Sequence, residues 1–559
     1  MDYFLEINTV TILKNTMCIV ANGRIFGCSE LCKPKLILHF VSDREDRFIP
    51  MVLQSIDKEN SICSFSGVYR YKLDNIFWET QGLSQEFTLS FDLMADGEIA
   101  DNVRAVICKD HILINSENYT AEKKDPTSIW FRYTKPQIKK SKIGKLKKIA
   151  KSLTGTNNIE TDDFSKENTV IRKQRYSAIK TIFIRLRTGL KRAYIIFWYE
   201  HYKQKPVTSG QLAFISQRST VLTDNMEFVY NDISKDKTVK CVFYLSTTPF
   251  QETSLAGLRK FAKIAASSKV ILIDEYVPAL YFLSIRSETK FVQIWHACGA
   301  FKTVGFSRIG KLDAPTQAGK AHRNYDLAVV SSSNVRRWYA EAFGLPLRKV
   351  VSPGVPRTDI FFNDDYKEHI RTEFFNKYPQ TAGKKIILFA PTFRGTIKND
   401  GYYPFEKADL AKIIDKAGDE YVILLRHHPF VTEKHPFPAE YSNRIIDVCD
   451  YPSVNDLLFV TDLLITDYSS VIFEASLLDI PMLFYAFDME EYIMERDFYF
   501  SYENFVPGKI IVTCEELSQA IADKDFEHEK VKPFSEAFFD IRDGKATQRV
   551  TEILKRFLA

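Results

Sequence analysis

His296 and Lys302 are a first pair of residues whose types could take part in catalysis. His296 follows directly on the apolar run 291–295, which predicts a buried strand, and a glycine-containing turn separates it from Lys302. A histidine at the carboxyl end of a strand can accept a proton near neutral pH, and a lysine can bind an anion. A histidine packed there for structural reasons is the alternative, and a lone histidine does not decide between the two.

A second histidine site follows the apolar run 421–425. Arg426, His427 and His428 come directly after this run. Because neighbouring residues of a strand point to opposite sides, only one of the two histidines can face a given pocket if the strand continues that far. No spaced carboxylate or cysteine ligands accompany the pair, so the sequence predicts no metal site.

Two loops offer groups that bind phosphate. Arg357 projects from the turn 352–359, which two prolines and a glycine make rigid, and a guanidinium suits bidentate phosphate contact. Thr392 and Arg394 lie in the segment 389–395 and offer a hydroxyl, a guanidinium and accessible backbone. Taken alone, the segment 352–359 is better explained as a simple connection between elements, whereas the segment 389–395 is explained equally well as a connection or as a ligand loop.

The segment 463–474 has the most specific pattern. A strand-like run ends at Thr466, and Ser469 and Ser470 then open an apolar helix. Serine caps a helix start, where free backbone N–H groups also bind anions. Capping alone would explain the serines but not Asp467. A carboxylate near a phosphate repels it, so we expect Asp467 to orient a donor hydroxyl or a cation.

The hydrophobic pattern predicts the regions that hold these residues. Residues 1–130 have short apolar runs separated by Asn, Gly, Asp and Ser, which predicts a β-rich accessory domain, an antiparallel sandwich or barrel. From 206 onward, strand-like runs alternate with helical segments, as in parallel α/β sheets with ligand loops at strand ends. A polar stretch divides this α/β part into 206–375 and 376–559.

Residues 131–205 form a basic helical segment between these regions. Nine Lys or Arg and no acid occur from 132 to 151, and eight more, again without an acid, from 172 to 192. Apolar residues recur among the cations at helical spacing, which predicts amphipathic helices that lie on an anionic membrane surface. We therefore expect a peripheral location on the cytoplasmic face of the cell membrane. A solvated linker is the alternative.

Composition argues against several classes of protein. Nine cysteines without a CxxC pair indicate a reduced, intracellular chain with neither a disulfide framework nor a zinc site. Neither a secretory leader nor a run of about 18 apolar residues is present, so we expect no spanning helix. No nucleic-acid-binding motif accompanies the basic segment, so a nucleic-acid partner is not expected.

Taken together and in order, these segments resemble the CDP-glycerol glycerophosphotransferase family, which includes teichoic acid primases and polymerases and some capsule polymerases. The resemblance covers about residues 206–559. Each motif alone is unspecific, but their co-occurrence is highly specific. The matching segments are WHACGAFK (295–302), SPGVPRTD (352–359), FAPTFRG (389–395), LRHHP (425–429) and LLITDYSSVIFE (463–474). The segments LLDIPMLFYAFDMEEY (477–492) and FYFSYENFVPG (498–508) also resemble the family.

The resemblance implies a GT-B architecture, with two Rossmann-like domains facing across a cleft: an acceptor domain at 206–375 and a CDP-donor domain at 376–559. It also implies transfer of glycerol phosphate or ribitol phosphate from a CDP-polyol to a hydroxyl of a lipid-linked or growing polymer. The hydroxyl would attack the β-phosphorus directly and release CMP. No cofactor is expected.

The two family histidines map onto His296, as a general base toward the acceptor, and His428, as a ligand of the donor phosphate. Phosphoryl transfer depends mainly on positioning and charge neutralisation, which suits a set rich in cations and dipoles. The expected substrate-binding residues are Lys302, Arg357, Thr392, Arg394, Arg426, Asp467, Ser469 and Ser470.

Two other functions fit parts of the sequence. A GT-B glycosyltransferase that uses a sugar nucleotide would have the same fold, and fold does not decide function. A non-enzymatic scaffold could use the basic segment to bind a membrane or nucleic acid. The combination of the motifs at 295–302 and 463–474 favours polyol-phosphate transfer. The sequence does not decide between glycerol and ribitol as the polyol of the donor, or between a primase and a polymerase. It also gives no indication of the oligomeric state.

Overall fold

In a computed structural model of the chain, the structure describes most of the α/β part and twelve strands of the N-terminal region. The described residues are 2–13, 16–26, 34–41, 46–51, 53, 55–59, 62–72, 84–95, 98–99, 104–107, 112–115, 119–125, 128–134, 178–309, 315, 321–395, 401–496 and 498–559.

The N-terminal region is made of two six-stranded sheets, so its predicted β-rich character is confirmed. One sheet has the order β10-β1-β2-β6-β5, with β9 also on β1, and the other has the order β11-β12-β7-β3-β4, with β8 on β7. β1 pairs in parallel with β9 and β10, which departs from the purely antiparallel arrangement that we expected. The strands are β1 Asp2–Leu13, β2 Thr16–Phe26, β3 Lys35–Val41, β4 Asp46–Met51, β5 Ser55–Glu59, β6 Ile62–Lys72, β7 Ser84–Ala95, β8 Glu98–Ile99, β9 Arg104–Ile107, β10 Ile112–Asn115, β11 Tyr119–Asp125 and β12 Ser128–Thr134.

Helix α1, Ala178–Tyr202, lies in the predicted basic segment 131–205. Residues 131–134 of that segment belong instead to strand β12, and residues 135–177 lie outside the described residues. Ile195 and Tyr199 are fully buried in the core of the α/β part. Leu190 and Phe197, seven residues apart, are 66% and 63% exposed. The helix therefore buries one face and leaves these two apolar side chains uncovered. No helix of the described residues combines the length and apolar character needed to cross a membrane.

The first α/β sheet is entirely parallel and has the order β14-β13-β15-β16-β17-β18. Its strands are near-continuous apolar runs because helices cover both faces. Its strands and the helices between them are β13 Thr208–Ser216, α2 Asp224–Ile233, β14 Lys240–Leu245, α3 Leu255–Ser267, β15 Ser268–Ile273, α4 Pro278–Tyr281, β16 Lys290–Gln293, β17 Leu327–Val329, α5 Arg336–Phe343 and β18 Val350–Val351.

The second α/β sheet is also parallel and has the order β21-β20-β19-β22-β23-β24. The elements from the connecting helix onward are α6 Asp364–Lys377, β19 Lys385–Phe389, α7 Leu410–Ala417, β20 Tyr421–Leu425, β21 Ile445–Asp447, α8 Val454–Leu458, β22 Leu463–Thr466, α9 Val471–Leu477, β23 Met482–Tyr485, α10 Met489–Glu495, α11 Tyr502–Phe505, β24 Lys509–Ile511, α12 Cys514–Asp523, α13 Val531–Phe538 and α14 Ala546–Leu558.

The last helix returns to the first half of the α/β part. The carboxylate of Asp359 accepts hydrogen bonds from the backbone N–H groups of Ala546 and Thr547, both at 2.8 Å, and so caps the start of α14. Thr551 Oγ1 donates to Asp232 Oδ2 of α2 at 2.7 Å. The chain thus crosses between the two sheets twice, through α6 and through α14.

Each of the two α/β sheets has one point at which the strand order reverses. This point lies between β13 and β15 in the first sheet and between β19 and β22 in the second. In open α/β sheets, ligands bind outside the carboxyl ends of the strands at such a reversal. The residues that follow these four strands are therefore candidates for a ligand-binding site.

Candidate active site

His296 lies beyond the end of β16, and its hydrogen bond fixes its tautomer. Its Nδ1 is 2.8 Å from the main-chain oxygen of Asp274. A carbonyl oxygen only accepts, so Nδ1 carries the proton and Nε2 keeps a free lone pair. No hydrogen bond joins Nε2 to the described residues. Burial lowers the pKa of His296 to about 4, so the ring is neutral at pH 7 and can act as a base.

The loop that bears His296 sits directly against the second half of the site. Gly299 has φ +60°, and a Cβ at this position would lie 2.0 Å from the Phe473 ring of α9. Its N–H donates to Ser331 Oγ at 3.0 Å, and its carbonyl accepts from Tyr339 at 3.0 Å. Glycine is therefore required here by conformation and by space, and it lets the loop approach α9 closely.

Arg357 joins the two halves. Its guanidinium forms an ion pair with Glu474 of α9, which is 1% exposed, and its Nη1 donates to the main-chain oxygen of His296 at 2.8 Å. Its backbone N–H donates to Asn225 at 2.9 Å, and Asn225 in turn donates to Trp295 O at 2.7 Å. The structure thus places Arg357 in a network that holds the His296 loop. Its predicted contact with substrate phosphate stays a prediction.

In the second sheet, Asp467 ties together the loops after β19 and β22. Its side chain accepts from the backbone N–H groups of Thr392 at 2.7 Å and Tyr468 at 2.6 Å, and from Arg394 Nη1 at 3.0 Å. It is 1% exposed. Both of its oxygens are therefore occupied by protein groups. The orientation of a donor hydroxyl or a cation by Asp467 stays a prediction.

Arg394 is held between two carboxylates. It makes a bidentate pair with Asp488 at 2.5 and 2.8 Å, in addition to its contacts with Asp467 and, at 2.6 Å, the main-chain oxygen of Thr392. Bidentate pairs of this kind fix the planar guanidinium strongly. By contrast, Thr392 Oγ1 is buried and makes no hydrogen bond with the described residues. At this reversal point the threonine hydroxyl, more than the arginine, is available to a ligand.

His428 carries the opposite tautomer to His296. The backbone N–H of Phe430 donates to its Nδ1 at 3.2 Å, so the proton of the neutral ring is on Nε2, which can donate. Burial lowers its pKa to about 4, with help from the cations Lys302 and Arg426. His427 has a different partner, because its Nε2 is paired with His435 at 3.2 Å. β20 ends at Leu425, so the alternation of a strand does not reach the two histidines, and the expectation that only one of them faces a given pocket stays a prediction.

Lys302 reaches from the first half to the second. Its Nζ donates to the Tyr492 hydroxyl at 2.8 Å, and burial lowers its pKa to about 7. Arg426 is half-buried, and its Nη1 donates to the main-chain oxygen of Val448 at 3.1 Å. Ser469 Oγ accepts from Val471 N at 3.3 Å, whereas Ser470 makes no side-chain cap for α9.

The site offers hydrogen-bond donors to an anion and, on the His296 loop, a neutral base. Lys302, His428 and the Thr392 hydroxyl offer donors, and His296 offers a lone pair. Among the described parts of the chain, no group of three His, Cys, Asp or Glu side chains could hold a metal ion.

Comparison with known proteins identifies the family. The sequence profile described as CDP-Glycerol:Poly(glycerophosphate) glycerophosphotransferase matches residues 197–556, which is more than half of the chain. The chain belongs to this family.

Curated relatives in the family are named for teichoic acid synthesis. A teichoic acid poly(ribitol-phosphate) polymerase of Bacillus spizizenii is 41% identical over 357 residues, which cover 64% of this chain and 58% of the relative. A teichoic acid ribitol-phosphate primase of the same species is 36% identical, covering 63% of this chain and 92% of the primase. The chain therefore spans less than two thirds of the length of the polymerase.

The fold is also found in a solved structure. The structure of the wall teichoic acid polymerase TagF matches with a TM-score of 0.55 and 22% identity, covering 68% of this chain and 95% of TagF. This likeness shows that the α/β fold with parallel sheets, which we expected, is shared.

Several residues of the site in this family member have no strong sequence signal. Asp488 follows β23 by three residues, and the family resemblance at 477–492 included it without assigning it a role. Glu474 stands at the end of the motif 463–474 and reads as an ordinary helix residue. Asp274 directly follows the apolar run of β15, just as Asp467 directly follows the run of β22. This shared position is a sequence signal that identifies Asp274 as a candidate site residue. Asn225 had no signal.

Proposed function

We propose that the chain transfers a polyol phosphate from a CDP-polyol to a hydroxyl at the end of a teichoic acid type polymer and releases CMP. The observation that carries the proposal is the pair of neutral histidines with opposite tautomers, His296 with a free Nε2 lone pair and His428 with an Nε2–H. Family membership supports the same reaction class. The two halves act as the acceptor and donor domains of a GT-B enzyme, divided near residue 376.

In this reaction His296 Nε2 takes the proton of the acceptor hydroxyl as its oxygen attacks the β-phosphorus. A bond forms between that oxygen and phosphorus, and the bond from the β-phosphorus to the bridging oxygen breaks. The bridging oxygen and its electron pair leave with CMP. His428 Nε2–H, Lys302 and the Thr392 hydroxyl stabilise the pyrophosphate oxygens as charge develops on them. Ser469 and Ser470, both partly exposed, complete the donor side, with Arg426 nearby.

Ribitol phosphate is the favoured unit. Relatives named for ribitol phosphate are 41%, 40%, 40% and 36% identical to this chain. Relatives named for glycerol phosphate are 31%, 34%, 29% and 29% identical. This consistent difference in identity supports CDP-ribitol as the proposed donor.

The test is release of CMP, or of UDP, from CDP-ribitol, CDP-glycerol and a UDP-sugar supplied separately with a polyol-phosphate acceptor. We expect CDP-ribitol to give the highest rate and the His296→Gln variant to serve as the inactive control. A higher rate with the UDP-sugar would make the chain a glycosyltransferase. A higher rate with CDP-glycerol would overturn the choice of ribitol.

We also propose that the chain lies on the cytoplasmic face of the cell membrane, where a lipid-linked acceptor would grow. The uncovered Leu190 and Phe197 of α1 support this, together with the lysines of the preceding segment. Lys191 is not part of this surface, because its Nζ donates to the main-chain oxygens of Gln251 and Thr253 at 2.7 and 2.6 Å.

Co-sedimentation with anionic liposomes tests the location. Each Lys or Arg near an anionic surface contributes about 1 kcal/mol, and salt screens the effect. We expect less binding at high salt and less binding by a variant with Leu190→Ser and Phe197→Ser. Val221→Ser, at a 62% exposed apolar residue elsewhere, is the matched control. Changing Lys139, Lys140, Lys142, Lys145, Lys147 and Lys148 to Gln tests the basic part. Equal binding by all these proteins would place the attachment elsewhere.

A further inference from the structure

Asp274 is a buried carboxylate that the proposed reaction leaves without a role. It follows β15 directly, at the reversal point of the first sheet. Asp274 is 2% exposed, and its Oδ1 has no hydrogen-bond partner among the described residues. Its main-chain oxygen is the one that accepts from His296 Nδ1 at 2.8 Å. The side chain therefore belongs to the residue that orients the proposed base.

The groups around Asp274 do not satisfy it. Burial raises the pKa of Asp274 to about 7; the nearby Arg218 lowers it, and the negative charges of Glu275 and Asp224 raise it further. Arg218 is already in an ion pair with Asp224. Glu275 accepts from Ser216 Oγ at 3.0 Å and from the backbone N–H of Gln217. Buried polar groups are normally hydrogen-bonded, so an unpartnered one calls for an explanation.

Other carboxylates of the two sheets show what a structural role looks like. Asp326 and Asp462, at the amino ends of β17 and β22, accept from the backbone N–H groups of Phe291 at 2.9 Å and Ile386 at 2.7 Å. Asp467, which follows β22 as Asp274 follows β15, accepts three hydrogen bonds. Asp274 is in the position of a ligand residue, and its Oδ1 lacks the hydrogen bond that a structural carboxylate makes.

We propose that the Asp274 side chain binds a hydroxyl of the acceptor's terminal polyol unit, next to the hydroxyl that gives its proton to His296. This inference rests on the proposed function and names the part of the site that holds the acceptor. A polyol carries hydroxyls on neighbouring carbons, so one can attack while the next is held. A hydroxyl both donates and accepts, and it can therefore pair with the carboxyl in either protonation state.

The proposal predicts coupling between Asp274 and one hydroxyl of the substrate. The experiment measures kcat/KM by CMP release with two synthetic acceptors, one ending in an intact polyol phosphate and one lacking the hydroxyl adjacent to the attacking one. A site built to bond a hydroxyl discriminates strongly against its absence. We expect the wild type to lose about a hundredfold with the deoxy acceptor. Asp274→Ala should lose less than about threefold between the two acceptors, because the partner of the hydroxyl is already gone.

An equal loss in the wild type and in Asp274→Ala would overturn the proposal. Asp274→Asn preserves the volume of the side chain and is the variant to compare if Asp274→Ala does not fold; we expect it to lose about tenfold. Asp326→Asn is the matched control, since it changes a carboxylate at the opposite edge of the same sheet and should keep the full hundredfold loss. The KM for the CDP-polyol should be unchanged in every variant.

The outcomes separate this inference from the proposed function. If the wild type releases no CMP with either acceptor, the proposed function fails. If the wild type releases CMP from both acceptors and no coupling with Asp274 is found, the transferase activity stands and the assignment of Asp274 fails.

Discussion

The two α/β sheets place aspartates at the same topological point but treat them in opposite ways. In the second sheet, Arg394 and two backbone N–H groups occupy the oxygens of Asp467, and Arg394 also holds Asp488. In the first sheet, Asp274 keeps an unpartnered oxygen beside the neutral base His296. One reversal point has its negative charges neutralised within the protein, and the other has a carboxyl and a lone pair available.

This difference corresponds to two kinds of ligand. Where the acids are already paired, an incoming pyrophosphate meets donors instead of negative charge. Where a carboxyl and an imidazole lone pair are free, the partner must bring hydroxyl protons. Under the proposed function, the same fold position would bind a phosphate in one half and a polyol in the other.

The largest effect is expected for the base of the first half. His296→Ala removes the proton acceptor, and we expect kcat to fall at least about a hundredfold. In the wild type, kcat/KM should stay level from pH 7 downward and fall only as the pH drops through about 4, where His296 becomes protonated. Near-normal turnover in a folded His296→Ala protein would remove the histidine from the mechanism. An acid limb near pH 6.5 would contradict the effect of burial on its pKa.

The second prediction removes the cation that neutralises Asp467 and Asp488 in the second half. Arg394→Gln leaves Asp467 and Asp488 without their cation, and loss of one partner from a buried ion pair destabilises a protein by about 3–5 kcal/mol. Because the freed carboxylates repel phosphate, we also expect binding of the CDP-polyol to weaken at least about tenfold in calorimetry. Arg444→Gln, which breaks a more exposed pair with Asp415, is the control for stability. Unchanged donor affinity would show that Asp467 and Asp488 do not face the pyrophosphate.

Much of this site followed from the sequence, because strand ends and motif spacing are local properties. The runs ending at Leu425 and Thr466 are strands, and the polar residues after them lie at the carboxyl edge of the second sheet. The family and the α/β fold with parallel sheets are confirmed. The roles of the individual site residues stay predictions.

What the sequence could not show depends on contacts between distant segments. Arg357 and Arg394 look alike as phosphate ligands in sequence, yet each is paired with an acid far along the chain, Glu474 or Asp488. The return of α14 to the first half and the parallel pairs of β1 are tertiary choices that no local pattern encodes. The tautomers of the two histidines likewise follow from single backbone contacts.

The third prediction concerns Lys302, which belongs to the first half and contacts Tyr492 of the second half. Its pKa of about 7 means that it is charged below that pH and neutral above it. If this charge binds the donor pyrophosphate, kcat/KM for the CDP-polyol should fall about tenfold per pH unit above pH 7. Lys302→Arg keeps the charge and should remove this limb, whereas Lys302→Gln should be low and flat from pH 6 to 9. A limb that persists in Lys302→Arg would belong to another group.

The smallest effect is expected for metal removal. The carboxylates closest to the proposed donor site have their oxygens engaged: Asp467 by Thr392 N, Tyr468 N and Arg394, and Asp488 by Arg394. A divalent cation prefers free oxygen ligands, and Arg394 would compete for both acids. We therefore expect EDTA to change the rate of CMP release by less than about twofold. The Arg394→Gln variant sharpens this test, since it frees two neighbouring carboxylates and should make any donor binding responsive to Mg²⁺. Loss of wild-type activity in EDTA and its return with Mg²⁺ would mean that Asp467 exchanges Arg394 for a metal during turnover. The acids of the second sheet would then not be neutralised by the protein alone, and the difference between the two sheets would not hold.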